Sequence, residues 1–160
     1  MKNILIFCIP LILYSTSCKE DNDGTDEMID VDTTAEADIV SVSFSGDENA
    51  YTFSVGIKSP DKGCNQYADW WEIVAEDGTL IYRRILAHSH VNEQPFVRSG
   101  GPVAIKKDQI VYVRAHMNTS KYGSKVFKGS VENGFQESTL DKDFAIALEE
   151  TEPLPSGCAF

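Results

Sequence analysis

Residues 38–160 read as an all-β domain, an antiparallel β-sandwich of about seven short strands. Apolar and polar residues alternate with a period of two along most of this stretch. The alternating runs are three to eight residues long and are separated by clusters of Gly, Asn, Asp and Pro. No run of useful length carries apolar residues at helical spacing. A chain of 160 residues with 42% hydrophobic content has material for one packed domain and is not disordered throughout.

The first strand is expected at Ile39-Val40-Ser41-Val42-Ser43-Phe44 and the second at Tyr51-Thr52-Phe53-Ser54-Val55-Gly56-Ile57. A hairpin-type connection, Gly46-Asp47-Glu48-Asn49, joins them. Residues 70–75 and 79–86 flank Glu76-Asp77-Gly78, a turn in which Gly supplies positive φ. Ser99-Gly100-Gly101-Pro102 reads as a breaker, followed by a short strand at Val103-Ala104-Ile105. Residues 110–117 and 126–131 supply two more strands with Tyr122-Gly123 between them. Phe144-Ala145-Ile146-Ala147-Leu148 is a weaker strand pattern because of its alanines.

Ahead of this domain the composition changes twice. Met1-Lys2-Asn3 precedes an apolar run from Ile4 to Tyr14, too short for a bilayer span but suited to the apolar core of a signal peptide. Ser15-Thr16-Ser17 then lead into Cys18. This segment resembles a bacterial lipoprotein signal, residues 1–17, in which the cysteine after small residues is lipidated and becomes the mature N-terminus. Ser15 stands where leucine is commonest in that pattern; an ordinary secretory signal is the alternative. Lys19-Glu20-Asp21-Asn22-Asp23-Gly24 resembles the acidic export tag of Gram-negative lipoproteins carried to the cell surface. The resemblance implies an outer-membrane, surface-exposed protein held by a lipid anchor at Cys18.

Residues 19–37 hold eight acidic side chains against one lysine, and few large apolar groups. Such a segment cannot bury enough surface to offset its ordering entropy, so residues 18–37 are expected to form a disordered tether with a reach of roughly 25 Å. Of the formal net charge of −11, the tether carries −7 and residues 38–160 carry −5, with Lys2 opposing them. Fourteen basic residues against 25 acidic ones leave no basic stripe for a phosphate backbone, which argues against nucleic-acid partners. A calcium loop at 19–30 fails on spacing, because its first ligand position falls on Lys19.

Four cysteines divide by location. Cys8 lies in the signal and Cys18 takes the lipid, which leaves Cys64 and Cys158 in an oxidising compartment and predicts one disulfide between them.

Trp71 in the third strand, and Tyr112-Val113-Arg114-Ala115 followed by Tyr122-Gly123, resemble the third and sixth strands of immunoglobulin-like and fibronectin type III sandwiches. The stretch from Trp70-Trp71-Glu72 to Tyr122-Gly123 also resembles small uncharacterised secreted bacterial domains, a likeness that implies no activity. Alternation then sends Trp71, Ile73, Ala75, Val111, Val113, Ala115 and Met117 inward. Trp70, Glu72, Tyr112, Arg114 and His116 collect on the outer face, joined from the fourth strand by either Tyr82 and Arg84 or Ile81 and Arg83. Trp70, Glu72, Tyr112 and Arg114 could form an exposed platform for a glycan or a protein. The competing reading is a solvated sheet with a cross-strand Glu72–Arg114 ion pair.

The three histidines are His88, His90 and His116. An i,i+2 pair on extended backbone puts two imidazoles on one side, and His116 from the sixth strand could complete a copper or zinc site, with Met117 as a soft ligand only if it faced the same way. Acid–base groups such as Asp69, Glu72 and Glu93 exist, but no nucleophile elbow, zinc-protease helix motif or phosphate-cradling glycine loop accompanies them. The expectation is therefore a non-enzymatic binding or display domain with no catalytic residues and no cofactor, with metal binding through His88, His90 and His116 as the alternative.

Overall fold

The computed structural model describes residues 32–159; the expected signal, the lipidation site Cys18 and the tether up to residue 31 lie outside the described residues. Among the described residues, nine strands follow in chain order: β1 (Asp38–Ser45), β2 (Tyr51–Lys58), β3 (Ala68–Ala75), β4 (Leu80–Ile85), β5 (Phe96–Val103), β6 (Val111–Met117), β7 (Lys121–Tyr122), β8 (Lys125–Ser130) and β9 (Gly134–Thr139). They form two antiparallel sheets. One has the order β1-β2-β5; the other has β4-β3-β6-β8-β9, with the two-residue β7 also paired to β6. The all-β sandwich expected from the alternation is the architecture observed.

The core lies between the sheets. Phe53, Val55, Ile57 and Phe96 from the first sheet meet Trp71, Ile73, Val113, Ala115 and Met117 from the second. These are the inward positions that a period of two assigns on β3 and β6. Each large side chain removed from water contributes about 1.5–3 kcal/mol, the principal term opposing the entropy of ordering the chain.

Three elements differ from expectation. Ser99-Gly100-Gly101-Pro102 is strand, not turn: β5 runs through it as the edge of the smaller sheet, where a proline costs no ladder hydrogen bond. Gly100 is needed there because a Cβ would fall 2.5 Å from the Tyr82 hydroxyl and 3.0 Å from the Trp71 ring. The 144–148 stretch is not a strand either. It leads into a short 3₁₀ helix, Ile146–Glu150. The β9 strand, whose apolar content is one phenylalanine, was not evident from alternation.

The expected tether also ends earlier. Residues 32–37 lie against the sandwich: the Asp32 amide donates to Gln66 Oε1 at 2.9 Å, Glu36 Oε2 accepts from the Ser124 amide at 2.9 Å, and Ala37 is fully buried.

Cys64 and Cys158 are disulfide-bonded across a sequence separation of 94 residues. The bond ties the end of the chain to the loop before β3. By chain-entropy reasoning such a closure is worth about 4–5 kcal/mol. A Cys64→Ser/Cys158→Ser variant should therefore unfold at lower urea with an unchanged core fold, its loss of stability being about 4 kcal/mol by equilibrium denaturation.

Candidate functional site

The outer face of the larger sheet is set by the register of three strands. On β3, Glu72 stands opposite Arg114 of β6 and opposite Arg83 of β4, while Trp70 stands opposite His116. Of the two sets left open for the fourth strand, the one containing Arg83 faces Glu72.

Glu72 is wholly buried. Its Oε2 accepts from Arg83 Nε at 2.7 Å and lies 2.6 Å from the same guanidinium's Nη2; its Oε1 accepts from Arg114 Nε at 2.8 Å and lies 2.8 Å from that Nη2. Two forked guanidiniums thus grip one carboxylate from both sides. Removing such charges from water costs several kcal/mol per ion, which only complete hydrogen bonding can offset.

The remaining guanidinium donors reach upward into the chain that covers them. Residues 141–158 form a strap over this face. Arg83 donates to the carbonyls of Leu148 at 2.6 Å, Thr151 at 2.6 Å and Pro153 at 3.1 Å. Arg114 donates to the carbonyl of Phe144 at 2.6 Å and, more weakly, to that of Ala145 at 3.4 Å. An irregular segment with few ladder partners has its carbonyls satisfied by two arginines instead.

Aromatic rings line the same layer. Arg83 lies over the Trp70 ring at 4.5 Å, and His116 stacks on that ring at 3.6 Å with an interplanar angle of 7°. Because β3 runs between β4 and β6, the two groups approach the indole from opposite sides. Arg114 sits 3.4 Å over the Tyr122 ring. Burial, with the Glu72 carboxylate beside it, pushes the Tyr122 phenol well above its ordinary range.

These contacts correct the expected platform. Trp70, Glu72 and Arg114 do share one face with the partly buried Tyr112, but Trp70 is 3% exposed, its indole has charged or polar groups on both sides, and Glu72 and Arg114 are sealed. Neither an open aromatic surface nor a solvated sheet results. The Glu72–Arg114 pair exists, as a buried interaction.

His116 belongs to this layer. Its Nδ1 hydrogen-bonds Asp69 Oδ1 at 2.7 Å, a carboxylate acceptor that assigns the ring proton to Nδ1. Burial raises the Asp69 carboxyl above its ordinary value, with His116 partly opposing the shift. On the other side, His116 Nε2 faces Glu149 Oε1 at 3.9 Å, and Lys121 holds Glu149 Oε2 at 2.6 Å. A pocket of about 370 Å³ opens where strap and sheet meet, walled by Tyr67, Asp69, His116, Asn118, Lys121 and Glu149 among others.

His88 and His90 lie elsewhere, in the loop between β4 and β5. Their rings are 4.5 Å apart, and His90 stacks on Phe96 at 3.8 Å. The expected three-histidine metal site is therefore not assembled. Among the described residues no group of three His, Cys, Asp or Glu side chains is placed to hold one metal ion. Met117 points into the core, away from His116.

The residue that organises this loop is Asp61, which sequence reasoning passed over. Its Oδ1 accepts from Ser59 Oγ at 2.6 Å and the Ala68 amide at 3.1 Å, and its Oδ2 accepts from the His90 amide at 2.7 Å. A lone Asp after Ser-Pro looks like any turn residue, so only its burial marks it. A further opening of about 480 Å³ lies between the edges of the sheets, walled by Ile39, Lys125, Glu137 and Thr139 among others.

No protein-family model matches the chain, and no solved structure matches it. A curated protein of Halomicrobium mukohataei, named "Putative lipoprotein", is 35% identical over 100 residues, which is 62% of this chain and 49% of that protein. The chain thus spans about half the length of the relative it matches. Among the described residues no helix is long and apolar enough to cross a membrane.

Removing the charge from Glu72 leaves two buried guanidiniums facing each other. Glu72→Gln should cost about 3–5 kcal/mol of stability by chemical denaturation. Glu137→Gln, at an exposed position on β9, should stay within about 0.5 kcal/mol of the parent.

Proposed function

We propose that this chain is a lipoprotein of the bacterial cell envelope, anchored through Cys18 to an outer membrane and facing outward. Its β-sandwich works by binding or display, not by catalysis. The observation that carries the reading is the Cys64–Cys158 disulfide, which suits a compartment where thiols oxidise. The leader and acidic segment ahead of residue 32, and the partial likeness to a protein named as a lipoprotein, support the lipid-anchored part of this reading. The pairing of β3 with β6, the strands that carry Trp71 and Tyr112-Val113-Arg114-Ala115, supports the immunoglobulin-like resemblance.

The non-catalytic part rests on how the polar groups are spent. All the acceptor positions of Glu72 are occupied by arginines, Arg83 and Arg114 are committed to the strap, and Asp69 is taken up by His116, whose remaining ring nitrogen Nε2 is sealed from solvent and faces Glu149 at 3.9 Å. A general acid or base needs a free lone pair or proton within reach of a substrate. The pocket beneath the strap, with aromatic edges beside carboxylates and Asn118, offers the best place for a small polar group on a protein or glycan ligand.

Growth with a clickable palmitate analogue tests the anchor. The parent chain should take up the label and sediment with membranes, whereas Cys18→Ser should lose the label and appear in the soluble fraction. An unlabelled parent protein found reduced in the cytosol would contradict the reading.

A further inference from the structure

The chain is strongly acidic, yet one corner gathers positive charge. A cavity of about 120 Å³ lies where the end of β4 meets β5, and its wall includes Arg84, His88, His90 and Arg98. Arg84 comes from β4, Arg98 from β5, and both imidazoles from the loop between them.

Two features set this corner apart from an ordinary solvated surface. His90 is 4% exposed, and neither of its ring nitrogens has a hydrogen-bond partner among the described residues, which is unusual for a buried polar side chain. Arg84 makes no hydrogen bond or ion pair with any described residue, although Arg83 beside it is fully committed. Phe96 fixes the arrangement: His90 stacks on its ring at 3.8 Å and the Arg98 guanidinium lies 5.4 Å from its centroid. The nearby carboxylates are occupied. Glu93 pairs with Arg98 at 2.8 Å, and Asp61 accepts the His90 amide while its Oδ2 lies 4.0 Å from His90 Nδ1.

With Glu93 neutralising Arg98 and Asp61 held by backbone amides, the charge left free at the cavity is that of Arg84, which together with the His90 imidazole offers donors to an anion and no free carboxylate to a metal cation. Burial holds the His90 imidazole below its ordinary value, and the neighbouring Arg98 and His88 push it the same way against the smaller opposing pull of Asp61 and Glu93. A neutral imidazole can still donate one N–H, and guanidiniums match the oxygens of phosphate or sulfate in fork geometry. A volume of about 120 Å³ leaves room for one tetrahedral oxyanion.

We propose that the β4–β5 corner is a binding site for a single tetrahedral oxyanion, the phosphate or sulfate group of a ligand, held by Arg84, Arg98 and His90. The group could be carried by a small solute or by a lipid headgroup; the charge recognition is the same.

The test titrates inorganic phosphate into the disulfide-bonded protein at constant ionic strength, with chloride as the reference, while following the His88 and His90 ring signals by NMR. Phosphate should bind saturably with a dissociation constant below about 1 mM, shift the His90 signals and raise the pH at which His90 titrates. Arg84→Gln should weaken phosphate binding at least tenfold, and because Arg84 is exposed and without partners the variant should fold as the parent does. Vesicles of phosphatidylcholine with phosphatidylglycerol separate the sources. Vesicle association that free phosphate displaces assigns the site to a headgroup; phosphate binding without vesicle association assigns it to a solute. The proposal is overturned if chloride reproduces the shifts, if Arg84→Gln binds phosphate like the parent, or if vesicles bind and free phosphate fails to displace them.

Discussion

A carboxylate withdrawn from water must recover inside the protein every hydrogen bond it made outside, and Glu72 recovers them from two arginines. That requirement shapes the larger sheet. Arg83 and Arg114 must sit on the strands either side of β3 and on the same face, which fixes the register of β4 and β6 against it. Once the guanidiniums are turned toward Glu72, their outer N–H groups point away from the sheet and need acceptors. The carbonyls of residues 144–153 provide them. The ion cluster therefore carries one net positive charge, spread over peptide dipoles in place of solvent.

Burial on both faces follows. β3 has no exposed residue and β6 only one that is partly open, although the sequence of β3 includes Asp and Glu. One face packs into the inter-sheet core; the other packs beneath the strap with Trp70, His116 and Tyr122 between the charged groups. The disulfide and the arginines divide the work of holding the strap. The covalent bond restricts where the segment can go when loose, and the arginine–carbonyl bonds determine how it lies when seated.

Much of the sandwich was legible because alternation reports directly on burial. On β3 and β6 the inward and outward sets were correctly separated, and the partnership of Glu72 with Arg114 followed from them. The strap was not legible. Its Phe144, Ile146 and Leu148 alternate as in a strand, and its attachment depends on carbonyls, which every residue possesses and no sequence pattern reveals. For the same reason Trp70 and Arg114 looked like an open platform: alternation tells which residues leave the main core, not what else covers them. Gly100-Gly101-Pro102 misled in the opposite direction, since a breaker composition is acceptable on an edge strand crowded by Tyr82 and Trp71. His88 and His90 do lie side by side, but the cavity they share is walled by Arg84 and Arg98 in place of a third metal ligand, and such long-range neighbours are set by topology.

The outer face of the larger sheet is thus a second, ionic core roofed by residues 141–158, with openings at its margins. Amide hydrogen exchange on Glu72→Gln, with the Cys64–Cys158 bond intact, probes that claim most directly. If Glu72 holds in place the arginines that seat the strap, the amides of Leu148 and Thr151, which close its 3₁₀ turn, should exchange at the rate of an open loop while those of β2 stay protected. Protection of Leu148 and Thr151 equal to that of the parent protein would contradict it.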